Sequence, residues 1–410
     1  GVELKTFVQD SDGISATLTH ADGEVESVRT PWLIGCDGAH SIVRHQLALP
    51  FIGEEYAEGF QLADVKIVWP LDENEVHIFV HSGWLLAAFP LPNGRYRLIA
   101  DVSPEDAPLE TAPTLEHWQK LMDDRVPMRA SLSDPRWTAN YRIHRRLTTQ
   151  LRSGRAFLVG DAAHIHSPAG AQGMNTGIQD AINLAWKLAL VSQSIAKDSL
   201  LDSYHAERYP VEKALQVATD LPLRLFGITN PIAQAVRDRI MPLLAGLGLI
   251  QQKARGMLSE LAVQYIKSPI VEEHALGAGP KAGERAPNGV LRSAPEDSIK
   301  LYNLLSGAGH KLLVFEPTHA GSELPTEVHA VTDIVHERLN NNIPIFFITP
   351  ILEDNAADGY FADTDGSLTT RYGASRGAVY LVRPDGYIAF RSPLQGAAGK
   401  LSKFLDKWLQ

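Results

Sequence analysis

Arg155-Ala-Phe-Leu-Val-Gly-Asp-Ala-Ala-His164, followed by Ile-His-Ser-Pro-Ala-Gly-Ala-Gln-Gly-Met-Asn-Thr-Gly-Ile-Gln-Asp-Ala-Ile-Asn-Leu-Ala-Trp-Lys187, reads as a strand, a glycine loop and a helix. Ala156 to Val159 is an apolar run of strand length, stopped by Gly160-Asp161, and the loop beyond it holds Pro168, Gly170 and Gly173. From Met174 onward, Ile178, Ala181, Ile182, Ala185, Leu188 and Ala189 recur at helical spacing and predict one buried stripe. Glycines let backbone N–H groups approach a ligand closely, and a helix N-terminus carries partial positive charge. The stretch therefore suits a flat, electron-accepting group. Its glycine spacing alone equally describes a tight turn feeding a core helix.

A second strand, loop and helix start lies upstream, in Trp32-Leu-Ile-Gly-Cys-Asp-Gly-Ala-His-Ser-Ile-Val-Arg44, with Ser41 as a cap. Both stretches put an Asp between a strand and a helix. Before it, residues 3 to 34 alternate and turn at Asp12-Gly13 and Asp22-Gly23, as an antiparallel meander does. Strands are expected at Ala63 to Val68, Glu75 to His81, Trp84 to Phe89 and Tyr96 to Asp101, a helix at Leu115 to Arg125, and a returning strand over 136–147. This block would be the lid or floor for whatever the glycine loop holds.

Helical patterns run on to about Tyr265. A segment rich in Gly and Pro, 274–288, reads as a linker, and strands at Lys311 to Phe315, Pro344 to Thr349 and Val379 to Arg383 then alternate with helices at Thr326 to Asn340 and Ala398 to Leu409. A chain of 410 residues allows two or three domains and can bury a large cofactor. The net charge of -10 argues against nucleic acid as the main partner, because phosphate binding needs a basic footprint. The single cysteine, Cys36, excludes an intrachain disulfide and a cysteine-rich metal site, and reads as a small buried residue. His164 and His166 have poor spacing for a metal, so none is expected. The start of the chain lacks the marks of a signal peptide and no apolar run is long enough to span a bilayer, which together suggest a cytoplasmic protein with no membrane partner.

Two of these motifs carry a resemblance. The chain resembles the FAD-dependent aromatic hydroxylases, the single-component flavoprotein monooxygenases that include phenol hydroxylase and polyketide hydroxylases. Gly160-Asp161-Ala-Ala-His164 through Asn183-Leu-Ala-Trp-Lys187 is similar to their second flavin motif, and Cys36-Asp-Gly-Ala-His-Ser41 to Arg44 to their Asp-Gly motif. Arg371-Tyr-Gly and Tyr380-Leu-Val-Arg-Pro-Asp-Gly-Tyr387 resemble the thioredoxin-like domain of the larger members.

The resemblance implies an α/β and α+β fold with a partial FAD-binding, Rossmann-like part (p-hydroxybenzoate hydroxylase-like) in two pieces, 1–59 and 148–222. A substrate-binding mixed sheet over 60–147, a helical segment over 223–273, the linker 274–288 and a thioredoxin-like domain over 289–410 complete it. That last domain has no cysteine, so no dithiol chemistry, and a packing or homodimer role is left for it.

The cofactor implied is FAD, with NADPH or NADH as reductant. Asp161 would bond the ribityl chain, and the backbone at Gly170, Gln172, Gly173, Met174 and Asn175 would face the N1/C2 edge of the isoalloxazine. Pro168 would lie near the reaction space, with a rigid turn as the alternative. Asp37, Gly38 and Arg44 would serve FAD and the approach of the nicotinamide, with a salt bridge within the fold as the alternative. The chemistry implied is transfer of one oxygen atom to an aromatic small molecule from a flavin C4a-hydroperoxide. Trp84, Phe89 and Tyr96 are candidates for the substrate wall, each also readable as core, and no general base stands out.

Members of that family begin with a βαβ unit whose Gly-x-Gly-x-x-Gly loop takes the FAD pyrophosphate. No such loop occurs here, so a unit of roughly 30 residues or more is expected to be missing. The chain then reads as a truncated or split enzyme completed by a separate polypeptide, or as a non-catalytic binding or assembly module that cannot hold FAD alone.

Overall fold

The Asp-Gly pairs reverse the chain where the pattern places them. Val2–Gln9 (β1), Ile14–His20 (β2) and Val25–Thr30 (β3) form an antiparallel meander. In its first turn Asp10 accepts from the Asp12 and Gly13 amides; in its second Gly23 takes φ of +90°, which a residue without Cβ adopts freely. The computed structural model describes all of the chain except residues 82–83, 104–107, 109–110, 167–171, 227–229, 231–232, 237–238, 241–260, 275, 295–296, 318–323, 340–342 and 352–356. It divides into two compact units, one of Gly1–Gly177 with Glu212–Glu260, the other of Ile178–Val211 with Leu261–Gln410.

In the first unit, Leu33–Gly35 (β4) leads into Ile42–Gln46 (α1), capped as expected by Ser41, whose Oγ accepts from the Arg44 amide at 3.0 Å. Phe51–Val68 (β5), His77–His81 (β6), Trp84–Leu91 (β7) and Arg95–Val102 (β8) follow. Next come Leu115–Arg125 (α2), Ser131–Thr148 (β9), Arg152–Ser153 (β10), Ala156–Leu158 (β11) and His164–Ile165 (β12). They make a six-stranded sheet in the order β12-β9-β5-β8-β7-β6 and a small sheet β10-β11-β4.

Helix α2 starts where Thr114 accepts from the His117 amide, and buries Trp118 and Met122, one turn apart, against Ala63, Val65, Leu86 and Leu98. Alternation turns Phe60, Leu62 and Ala87 to the opposite face. They too are buried, while Trp137 on that face is 51% exposed and Ile99 and Ala139 are half-buried, so this side of the sheet is covered only in part.

The second unit contains most of Gly173–Ser192 (α3) and the first part of Asp202–Phe226 (α4). Its eight-stranded sheet is built from Glu272–Glu273 (β13), Val290–Arg292 (β14), Ser298–Lys300 (β15), Lys311–Phe315 (β16), Ile345–Thr349 (β17), Tyr360–Ala362 (β18), Ala378–Val382 (β19) and Ile388–Pro393 (β20). The order is β13-β20-β19-β16-β17-β18-β14-β15, with β16, β17 and β18 parallel and β19 and β20 antiparallel. Leu312, Val314, Val379 and Leu381 face one apolar cluster and Leu313, Phe315, Tyr380 and Val382 the other. A strand buried on both faces is a continuous apolar run, as Lys311–Phe315 nearly is.

Helix α3 departs from its apolar periodicity. Ile178 and Ile182 are 50% and 48% exposed, and Ala181, Ala185 and Ala189 are exposed as well. The buried side instead carries Asp180, Asn183, Leu184 and Lys187. Charge compensation explains the inversion. Glu207 accepts from Asn183 Nδ2 at 2.7 Å, Lys187 Nζ at 2.8 Å, Ser268 Oγ at 2.6 Å and the Arg383 guanidinium at 2.5 and 2.9 Å. Asp180 takes Arg208 Nε at 2.6 Å.

Burial alone would raise the Glu207 carboxyl, but Arg383 and Lys187 overcome it and hold it well below the usual range. Burial pushes Lys187 down to about 8 against the pull of Glu207. Segment 274–288, expected as a linker, is packed into this unit. A Cβ on Gly279, at φ +86°, would sit 2.1 Å from the Tyr372 carbonyl oxygen, and Ala282 and Ala286 are buried.

Removing the hub should leave Lys187 buried without its carboxylate and Arg383 with Asp385 as its remaining one. Glu207→Gln is expected to lower the unfolding free energy by about 3–5 kcal/mol in urea titration; a change below about 1 kcal/mol would show the cluster to be dispensable. His310 gives a pH dependence. It is buried edge-on to Trp186 at 5.3 Å and stacked with Trp408 at 5.7 Å, and burial pushes its pKa from 6.5 down to about 3. The folded chain then binds this proton less readily than the unfolded one, so the stability is full above pH 6.5 and is lost as pH falls towards 3. His310→Phe should flatten the acid limb of the urea midpoint in that window, and an unchanged limb would contradict the assignment.

Candidate functional site

Strands β4 and β11 lie side by side and parallel, pairing Leu33 with Ala156, Ile34 with Phe157 and Gly35 with Leu158. The two motifs singled out in the sequence therefore end at the same sheet edge. Each strand is followed by a turn with an aspartate, Asp37 after β4 and Asp161 after β11. Ligands of open α/β sheets sit outside the carboxyl ends of such strands.

Asp161 is exposed, in a 3₁₀ turn over Gly160–Ala162. Gly160 has φ of +59°, and a Cβ on Gly177 would lie 3.2 Å from the Gly160 Cα. The first turn of α3 thus meets the Asp161 turn backbone to backbone, which a side chain at either glycine would crowd. At the helix start, the carbonyl of buried Gln172 accepts from the Thr176 amide and hydroxyl, both at 2.9 Å. Met174 is 77% exposed, Asn175 is exposed, Gly173 is half-buried, and no acidic residue neutralises the first turn. Pro168 and Gly170 fall outside the described residues.

On the other turn, Asp37 is exposed and its Oδ2 accepts from the Val43 amide at 3.1 Å, while Gly38 takes φ of +78°. Arg44 is buried. Its guanidinium donates to the Ala162 carbonyl and the Ala39 carbonyl, each at 2.8 Å, and lies 3.8 Å over the Phe51 ring. It clips one strand-end turn to the other. Cys36, expected to be buried, is exposed, since it follows the last paired residue of β4.

Of the three candidates for the substrate wall, Tyr96 is 1% exposed within the α2-side core, its hydroxyl 3.4 Å from Trp69 Nε1 and from the Asp72 carbonyl. Trp84 lies on that same side, under the Arg125 guanidinium of α2 at 4.5 Å. Phe89 alternates to the opposite face, beside Arg97. Sequence reasoning passed over that face's other side chains, Asp64, Arg97 and Tyr141. It also passed over Glu212, whose Oε1 lies 3.6 Å from buried His164 Nε2. Alternation in 60–64 and 95–99 could have pointed to the first of these; nothing local points to Glu212. Asn183 and Lys187, the tail of the quoted motif, go into the Glu207 cluster.

FAD fits what is present. The exposed Asp161 carboxylate is an acceptor of the kind that ribityl hydroxyls need, and beside it a long helix begins with no acidic residue in its first turn, a positive end of the kind that suits the electron-accumulating edge of a flavin.

Two families match the chain, "FAD binding domain" over residues 1–219 and "Aromatic-ring hydroxylase, C-terminal" over residues 279–410. Pentachlorophenol 4-monooxygenase of Sphingobium chlorophenolicum is 33% identical over 400 residues, covering 96% of this chain and 71% of that protein. 6-Methylpretetramide 4-monooxygenase of Streptomyces rimosus is 32% identical, covering 97% and 70%. Among solved structures, OxyS anhydrotetracycline hydroxylase from Streptomyces rimosus superposes with a TM-score of 0.71 at 27% identity, covering all of this chain and 75% of that one. The flavin-dependent monooxygenase PieE, solved with FAD and substrate, shares the fold with a TM-score of 0.75 at 21% identity, over 99% of this chain and 75% of that one. With paired strand ends that fit a flavin and relatives of this kind along its length, the chain belongs to the FAD-dependent aromatic-ring monooxygenases.

Proposed function

We propose that this chain hydroxylates an aromatic small molecule, phenolic or polyketide-like, with FAD as cofactor and NADPH or NADH as reductant. The observation that carries the reading is the convergence of Asp37 and Asp161 at the ends of adjacent parallel strands, next to the start of α3, whose first turn holds no acidic residue. When bound, FAD supplies the redox chemistry that uses nicotinamide and dioxygen. The chain's own residues hold and screen it.

Asp161 would accept from the ribityl hydroxyls. Backbone N–H groups at Gln172, Gly173, Met174 and Asn175 would favour negative charge on the pyrimidine edge. Asp37 and Gly38 shape the second turn, which Arg44 fixes from behind. The sheet face bearing Phe89 is the floor of the substrate space and excludes water from it. The unit ending at Gln410 contains no cysteine, so it acts by packing or by forming a homodimer. No helix among the described residues is long and apolar enough to cross a membrane, in keeping with a cytoplasmic enzyme.

Purified protein supplied with FAD should oxidise NADH or NADPH faster when a phenol is added and release the hydroxylated phenol. Nicotinamide oxidation with no oxygenated product, or none at all across a phenol panel, would overturn the reading. Because Asp161 is exposed, Asp161→Ala should leave the melting temperature nearly unchanged while weakening FAD retention about tenfold to a hundredfold, the value of one charge-assisted hydrogen bond. Flavin absorbance after gel filtration reads this directly, and equal retention would remove Asp161 from the site.

A further inference from the structure

On the face of the six-stranded sheet turned away from α2, strand register lines side chains into rows. Trp137, Asp64 and Arg97 form one row across β9, β5 and β8; Ala139, Leu62 and Ile99 form the next; Tyr141 and Phe60 begin a third. Rows on one face are two residues apart, so the outer rows are about 13 Å from each other. The middle row is small and aliphatic, a floor on which a flat ring system can lie.

The two ends differ in how their polar groups are satisfied. In the first row Arg97 grips Asp64 through Nε at 2.8 Å and Nη2 at 2.9 Å and lies 5.2 Å from the Trp137 ring. In the third, the Tyr141 ring packs on Phe60 with centroids 5.8 Å apart, yet its hydroxyl is buried with no hydrogen-bond partner among the described residues. A buried hydroxyl without a partner is costly, and an interior that keeps one calls for a partner that arrives with a ligand. Burial also raises Tyr141 above its ordinary pKa, so it stays a neutral donor.

We propose that Tyr141 is a specificity-determining residue whose phenol donates a hydrogen bond to an oxygen substituent of the aromatic substrate, lying over the Ala139–Leu62–Ile99 row with Phe60 against its edge. The inference rests on the monooxygenase reading for the word substrate, but not for the contact itself. The acceptor is the substrate oxygen, and the donor is the hydroxyl that lacks a partner among the described residues. A site built to bond an oxygen discriminates against the analogue that lacks it.

The test uses the whole chain loaded with FAD, with 2-naphthol and naphthalene as probes. Calorimetric titration should show wild type preferring 2-naphthol by about threefold to tenfold, and Tyr141→Phe binding the two alike. Without ligand, Tyr141→Phe should melt at the same temperature or higher, because it deletes only an unpaired hydroxyl. A lower melting temperature would mean that the hydroxyl serves the fold and would overturn the proposal. So would a naphthol preference that survives the substitution, or no binding of either probe to wild type. Loss of discrimination in a protein that hydroxylates nothing would uphold the contact and reject the catalytic reading; turnover of phenols with preference intact in Tyr141→Phe would do the reverse.

Discussion

Arg44 reaches an oxygen 118 residues further along the chain, and the candidate site depends on that reach. The strands it stands behind pair over only three residues each, too little ladder to fix the turns that follow them. A planar guanidinium donates in two directions at once, so one side chain can hold the Ala39 carbonyl and the Ala162 carbonyl at a set separation. Taking that charge out of water is costly. The two carbonyls and the Phe51 ring offset the cost, and a lysine could not reproduce the fork. The exposed aspartates are thereby left to solvent and ligand while the residue that places them is hidden.

The same division of labour recurs in the glycines. Gly160 and Gly177 allow a helix start to touch a turn without side chains between them, which fixes where the helix N–H groups point. Gly279 does comparable work far from the site, against the Tyr372 carbonyl. Close backbone approach, more than flexibility, is what these positions have in common.

Local chemistry was legible in the residues, and distant compensation was not. Helix α2 has the bounds expected for it, Leu115 to Arg125, Ser41 caps α1, and strand Lys311–Phe315 has the bounds its apolar run suggests. The motif around Asp161 named the family because its spacing is long and specific. Helix α3 was misread because Asp180, Asn183 and Lys187 look like a solvated face until Glu207, Arg208 and Arg383 are known to meet them. For the sheet, alternation shows which residues share a face, but not which face α2 covers. Tyr96 and Trp84 therefore looked as suitable as Phe89, and Tyr141 went unnoticed. In 274–288, Gly and Pro marked turns correctly, yet composition cannot tell a packed turn from a tether.

Glu207 has a dynamic consequence as well as a static one. Its partners come from α3, from the segment at Ser268 and from the end of β19, so no one of these can detach without baring a charge inside the second unit. Partial opening then approaches complete opening in cost, which is the condition for these elements to exchange as a single foldon, their amides sharing one opening free energy. A buried carboxylate thus suppresses intermediate states: it makes this part of the molecule open as a whole.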